Sequence, residues 1–407
     1  MNTYLYAQKR TPKNFLKKIL KAHPEKFGNI RKNIKKNKVQ IIYTQINRDN
    51  KNNPILKSFT YNTQKKEYFY PASSVKLPLC LLALEKINNL NIKGLDKNTP
   101  FFSYARRPPQ TERLIDTTSP TGLPTIAHDI KKILLVSDNE SSNRLFEFLG
   151  QAYINEKLKE KGFKNSLILH RLAAPTFNEE NNRYSNPFQF KKIDTDTIIY
   201  EEKEKFNPLT FKQIAKNTKI GKGYINKQGK LIHEPLNFER RNFMALQDIH
   251  QCLKAVIFPE TLPKKARFNL TKEDYDFLRT YMGMLPKESK FPQYDLNDSY
   301  AKYFLGSVTK NKKIPEDMRI FNKVGMAFGY LIDNAYVVDY KNKIEFMLSA
   351  VIYVNENEIL NDDNKYEYES VGFPFFENLF ETIYDYEKKR IKKFEPNLKD
   401  FELKFND

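Results

Sequence analysis

Residues 70–80 read YPASSVKLPLC, with the hydroxyl of Ser73 and the ammonium of Lys76 three positions apart at the head of an apolar run. Pro71 suits the start of a helix, and a Ser oxygen there can satisfy backbone N–H groups that have no partner within the helix. The leucines that follow give an apolar surface on every side, the pattern of a buried central helix, expected from about Ser73 to Asn88. Positions i and i+3 share a helical face, so Lys76 is expected beside Ser73. The stretch supports two roles, a helix cap or a nucleophile with its activating amine. An S-x-x-K spacing by itself is too short to choose between them.

Working outward, KVQIIYTQINRD (38–49), PILKSFTYN (54–62) and KEYFY (66–70) are β-rich segments separated by Asn- and Lys-rich turns, and are expected as a meander. TIAHDIKKILLV (125–136) and ESSNRLFEFL (140–149) are expected as two helices, the second stopped at Gly150. NFMALQDIHQCLKAVIF (242–258) and TKEDYDFLRTYMGML (271–285) are the clearest helices of a mostly helical and loop-like stretch from 151 to about 318. Strands return in GYLIDNAYVVDY (329–340) and KIEFMLSAVIYVN (343–355), joined by a short KNK turn as a hairpin. FFENLFETIYDYEKKR (375–390) closes the chain's pattern as an amphipathic helix with Phe376, Leu379, Phe380 and Ile383 on one stripe.

Strands near both ends with helices between them predict a mixed α/β (α+β) fold. One antiparallel sheet is built from the N- and C-terminal parts with flanking helices, and an all-helical domain is inserted between them. The expected division is a basic helical extension over 1–36, an α/β sheet domain over 37–90 and 319–390, a mainly helical domain over 91–318, and a C-terminal tail over 391–407. Pockets favour such domain interfaces.

Composition bounds the function. The 407 residues are 40% hydrophobic and 14% aromatic, enough for one large core or two modest ones and unlike a disordered chain. No apolar run approaches the roughly 18 to 20 residues that cross a bilayer. The opening MNTYLYAQKR has no positively flanked apolar core of the signal-peptide kind. The net charge is +20, from 69 Lys and Arg against 49 Asp and Glu. Positive charge of this size serves nucleic-acid binding, but here it is spread as Lys along the chain without a nucleic-acid-binding signature. No nucleic-acid partner is expected; the basic face suits a solvated surface or an anionic cell envelope. Cys80 and Cys252 both sit in apolar runs and are expected as buried free thiols. With five histidines and no C-x-x-C or H-E-x-x-H, no metal site or cofactor is expected, and His128, His170 and His233 are expected to be surface or structural.

Two further short signals follow Ser73 and Lys76 in order. LLVSDNESSN (134–143) sets Ser137, Asp138 and Asn139 on the link between two predicted helices, and IFNKVGMAFGY (320–330) sets Lys323, Gly325 and Gly329 at the start of the late hairpin. Taken singly, the first is an ordinary helix-capping cluster and the second a strand end with a bend.

Together the three resemble the serine β-lactamases of class A and the related penicillin-binding proteins, which carry S-x-x-K on a buried helix, S-D-N on a loop of the helical domain, and K-T-G or a variant on a sheet strand. The resemblance covers roughly residues 36 to 390. It implies that Ser73 is a nucleophile, that Lys76 is its base, and that Ser137 relays a proton to the leaving nitrogen. It further implies that Asn139 binds the substrate amide, that Lys323 and Gly325 belong to the substrate-binding strand, and that Asp138 braces the loop. The backbone N–H groups of Ser73 and Met326 would form the oxyanion hole, where one donor is worth about 3 kcal/mol. The implied function is a serine hydrolase acting on a small-molecule β-lactam, with a D-alanyl peptide hydrolase or esterase, or a catalytically weak binding protein that retains the fold, as alternatives; the implied location is the periplasm or cell envelope.

Two departures stand out. The family's Glu, followed four residues later by Asn, which activates water to clear the acyl-enzyme, has no counterpart in HRLAAPTFNEENNRYSNPFQF (170–190). The aligned position falls near Arg171, which leaves Glu180 acting from a rearranged loop, slow release, or another route. Val324 also stands where the family carries Thr or Ser.

Overall fold

The computed structural model describes residues 14–307, 309, 312–363 and 365–403. Expectations for residues 1–13 and for the end of the tail lie outside these. At the centre is a five-stranded antiparallel sheet of β1 (Gln40–Arg48), β2 (Pro54–Tyr61), β3 (Met318–Ala327), β4 (Tyr330–Asp339) and β5 (Ile344–Tyr353). Its order is β3-β4-β5-β1-β2, so the N-terminal hairpin joins the C-terminal meander through β1 and β5, with Tyr43 opposite Leu348.

Every residue of β4 and β5 is buried. Helices cover both faces, which is why these strands are apolar throughout and do not alternate with polar residues. Alternation survives as a choice of core. Ile42 and Ile46 join the cluster that contains helix α3 (Lys76–Leu90), whereas Ile41 and Tyr43 join the cluster on the opposite face with Phe376, Leu379 and Ile383. Those three, with Phe380, form the expected stripe of the closing helix, Phe373–Lys389.

The basic lead is amphipathic. Its helices, α1 (Phe15–Ala22) and α2 (Pro24–Lys32), bury Phe15, Leu16, Leu20, Phe27 and Ile30. Phe15 lies 5.4 Å from the Tyr43 ring and 4.5 Å from that of Tyr386, so the lysines face outward from helices packed on the sheet.

α3 is buried along all of Lys76–Ile87, as its leucines require, and Cys80 and Cys252 are buried free thiols. Around α3 stand α4 (Ile126–Val136), α5 (Asn139–Leu149), α6 (Gln151–Glu160), α7 (Leu246–Ile257) and α8 (Lys272–Gly283). The segment between the sheet halves also holds short strands that were not expected. Phe101–Ser103, Phe188–Lys191 and Ile198–Glu202 form a three-stranded sheet whose rings at Phe101, Phe188 and Phe190 surround Phe148. KEYFY is not a strand. Only Glu67 makes a bridge, to Lys216, and the three rings that follow are buried against side chains: Tyr68 and Tyr70 on Phe238, and Tyr68 and Phe69 on Phe243.

Candidate active site

Ser73 lies in a single 3₁₀ turn, Ala72–Val75, that leads into α3, and the Lys76 N–H donates to the Ser73 carbonyl. The two adjacent serines differ. Ser74 is buried and its hydroxyl donates to the Pro71 carbonyl at 2.6 Å; Ser73 is half-buried, faces a cleft, and has no side-chain hydrogen bond among the described residues. Ala72 is held at φ +46°, a left-handed conformation that costs a non-glycine residue about 1–3 kcal/mol and persists only where packing imposes it.

The packing comes from β3. A Cβ on Gly325 would lie 2.7 Å from the Pro71 carbonyl oxygen, 3.1 Å from Ser74 N and 3.2 Å from the Ala72 Cβ. Only glycine lets the edge strand touch the turn at this point. β3 and β4 are joined by Phe328-Gly329, both at positive φ, a two-residue turn whose closing pair is Ala327 and Tyr330. Hydrogen bonding in an antiparallel pair alternates, so Ala327 and Gly325 bond to β4 and the N–H of Met326 faces the free edge, beside Ser73 in the cleft.

Ser137 ends α4 at φ +60°, and Asp138 caps α5 by accepting from Ser141 N at 2.7 Å. This sharp corner presents Ser137 to two buried lysines. Lys76 Nζ donates to the Ser137 carbonyl at 2.5 Å and to Asn139 Oδ1 at 2.7 Å, and lies 3.5 Å from Ser137 Oγ. Lys323 Nζ donates to Ser137 Oγ at 2.7 Å and to the Val324 carbonyl at 3.1 Å. Burial pushes the Lys76 ammonium well below its usual range, and the nearby Lys323 charge lowers it further. Burial, partly offset by Cys80 and Asp333, brings Lys323 down to about 7. A neutral amine is therefore accessible near neutral pH, which exposed lysines do not offer.

The structure thus joins Lys76, Ser137, Asn139 and Lys323 in one hydrogen-bonded cluster, sets Ser73, Asn139 and Met326 on the lining of one cleft, and presses Gly325 against the turn that carries Ser73, with no hydrogen bond between the side chains of Ser73 and Lys76. It does not bring Glu180 to that cleft. Asn182 is buried, accepting from Arg171 N at 2.9 Å and donating to the Asn178 carbonyl at 2.8 Å, and this anchor leaves Glu180, two residues earlier, exposed and outside the cleft lining. Arg171 is buried, with Nε donating to Glu147 at 2.9 Å and its guanidinium stacked 4.0 Å from the Phe177 ring. Val324 is 2% exposed and belongs to the core cluster on the sheet face that holds Leu331 and Phe304, away from the cleft.

The cleft, about 760 Å³, is walled by side chains to which the motifs gave no clue. The Tyr70 ring lies parallel to that of His170 at 6.3 Å and edge-on to Phe328 at 5.0 Å. His170 is held near pKa 4 by burial, so it is neutral, its Nδ1 donating to the Arg171 carbonyl and its Nε2 accepting from Asn242 N. It is a satisfied structural histidine, as is His250 between Thr44 and Ser349. Among the described residues no three His, Cys, Asp or Glu side chains gather as a metal site would, and no helix is long and apolar enough to cross a membrane.

The model of the beta-lactamase enzyme family matches residues 25–267, more than half of the chain. The chain belongs to the beta-lactamase enzyme family. Solved structures similar to this family member include a class A beta-lactamase from Clostridium kluyveri, at 13% identity and TM-score 0.48 over 88% of this chain and 98% of that one. A beta-lactamase from Francisella tularensis is similar at 15% identity and TM-score 0.48, over 89% of this chain and 98% of that one. One from Desulfarculus baarsii is similar at 13% and 0.44, over 89% and 98%. Comparison with curated proteins gives no match.

Proposed function

We propose that this beta-lactamase-family hydrolase forms an acyl-enzyme through Ser73 and cleaves amide bonds, with β-lactams as the first substrate class. The observation that carries the reading is the sharing of Ser137 between two buried lysines beside a serine open to the cleft. In its neutral form Lys76 donates its two N–H bonds to the Ser137 carbonyl and Asn139, and its lone pair is left to take the Ser73 proton. The hydroxyl oxygen of Ser137 is occupied by Lys323, so its O–H is the one left to protonate the departing nitrogen. Charge on the attacked carbonyl oxygen would be met by the N–H groups of Ser73 and Met326.

A second reading, a D-alanyl peptide hydrolase or esterase of the penicillin-binding type, is favoured by Arg171, a buried cation where the family's water-activating carboxylate is expected. Both readings share acylation and differ in release. The test is intact mass over time with a fluorescent penicillin, alongside turnover of a chromogenic cephalosporin. Rapid turnover supports the first reading and a persistent adduct on Ser73 the second. Absence of any adduct, with Ser73→Ala matching wild type on ester substrates, overturns both.

A further inference from the structure

The cleft beside Ser73 is lined by more cations than anions. Arg171, Arg183, Lys227, Arg240 and Arg241 line it, against the one lining carboxylate of Glu179. The chain as a whole has 69 basic and 49 acidic residues, so five cations to one acid is a concentration well beyond the general excess. Their neutralisation is uneven. Arg171 is balanced by buried Glu147, and Arg240 meets Glu179 only at 3.5 Å with both side chains exposed. Arg183 donates to the Asn207 carbonyl and lies 4.6 Å from the Phe206 ring, and Lys227 donates to the Pro175 carbonyl, so neither has a carboxylate partner among the described residues. Among the described residues the Arg241 guanidinium has neither a hydrogen bond nor an ion pair.

The segment that bears the two arginines is fixed in place. Asn242, fully buried, accepts from Leu169 N at 2.7 Å and His170 N at 3.1 Å, and the Phe238 ring packs 5.8 Å from Tyr70 and 5.3 Å from Phe328. The cations are thus tied to the aromatic wall that flanks Ser73, and binding an anion there needs no ordering of the backbone. We propose that this wall is an anion subsite: the acyl donor carries a carboxylate or phosphate, distinct from the group at the scissile bond, that lies against Lys227, Arg240 and Arg241. The orientation of that donor rests on the reading of Ser73 as the acylated centre; the subsite itself does not.

The test uses the full chain with Ser73→Ala, so that binding is measured without acylation. Calorimetry compares acetyl-Glu-D-Ala-D-Ala with acetyl-Gln-D-Ala-D-Ala, and a phosphoseryl peptide with its seryl counterpart, at low and high salt. The charged member of a pair is expected to bind about 10-fold tighter at low salt. The advantage should shrink at high salt and vanish in the Arg240→Gln, Arg241→Gln double variant and in Lys227→Gln with Arg241→Gln, both altered at exposed positions. A larger advantage for phosphoserine over serine than for glutamate over glutamine identifies phosphate as the anion, and the reverse identifies carboxylate. Equal affinity within both pairs, or no binding by any peptide at millimolar concentration, overturns the subsite. The β-lactam adduct on wild-type Ser73 is scored separately, so failure of the acyl-enzyme reading is recognised apart from failure of the subsite.

Discussion

The ammonium of Lys323 lies 2.7 Å from the hydroxyl oxygen of Ser137, joining an edge strand to the corner between α4 and α5 across a sequence separation of 186 residues. That contact makes Lys323 both a donor to Ser137 and a source of charge for Lys76, and the two roles can be separated.

Lys323→Met removes the cation that helps to lower Lys76. The Lys76 pKa then rises, more of it is protonated at a given pH, and the acid limb of the acylation rate moves to higher pH. Lost charge-assisted hydrogen bonding, about 1.5–3 kcal/mol, slows acylation at neutral pH by about 10- to 100-fold. Stopped-flow acylation against pH measures both, and an acid limb that stays put or moves lower contradicts the assignment of Lys76 as base.

Gly325→Ala forces a Cβ to within 2.7 Å of the Pro71 carbonyl oxygen, which already accepts from Ser74. Neither the turn nor the edge strand can yield without moving Ser73 relative to Met326. Stability is expected to fall by about 1–3 kcal/mol in urea unfolding, and acylation is expected to fall with it. A variant that melts and acylates like wild type would show that the close contact constrains nothing.

Part of this site is legible in the sequence and part is not, for physical reasons. Ser73 and Lys76 are tied by helical geometry, a local property, and so are the caps at Asp138 and Gly150. The strands β1, β4 and β5 are long enough for their composition to mark them. Strands of two residues, such as Ser166–Leu167 and Phe243–Met244, hold a single period of alternation, too little to mark them, and pair with each other only in the folded chain. The contact of Gly325 with the Pro71 turn, the pairing of Arg171 with Glu147 and the wall of Tyr70, His170 and Phe328 are all tertiary. The adjacent arginines 240 and 241 were visible as residues, but their place at the cleft depends on the burial of Asn242.

Release of the acyl group is expected to be indifferent to Glu180. Its carboxylate is exposed outside the cleft lining, so Glu180→Gln should leave both adduct lifetime and turnover within about twofold, less than a kcal/mol. Arg171→Gln is different. It withdraws the Nε donor from buried Glu147, which among the described residues keeps only Arg144 at 3.1 Å, and should destabilise the fold by about 3 kcal/mol. Mass spectrometry of the adduct and urea unfolding read the two effects, and a tenfold longer adduct in Glu180→Gln would restore that residue as the base.

Val324→Thr supplies the hydroxyl that the family carries at this position, yet it is expected to gain nothing at the substrate. Val324 lies opposite Asp333 on β4, on the sheet face opposite to that of Lys323 and Gly325, within the core cluster. A hydroxyl there exchanges a packed methyl for a polar group and should lower stability by about 1–2 kcal/mol. It would not reach a carboxylate bound in the cleft. KM for a carboxylate-bearing cephalosporin is therefore expected to stay within about twofold of wild type. A fall in KM of about 10-fold or more would mean that β3 turns this residue toward the substrate when the cleft is filled.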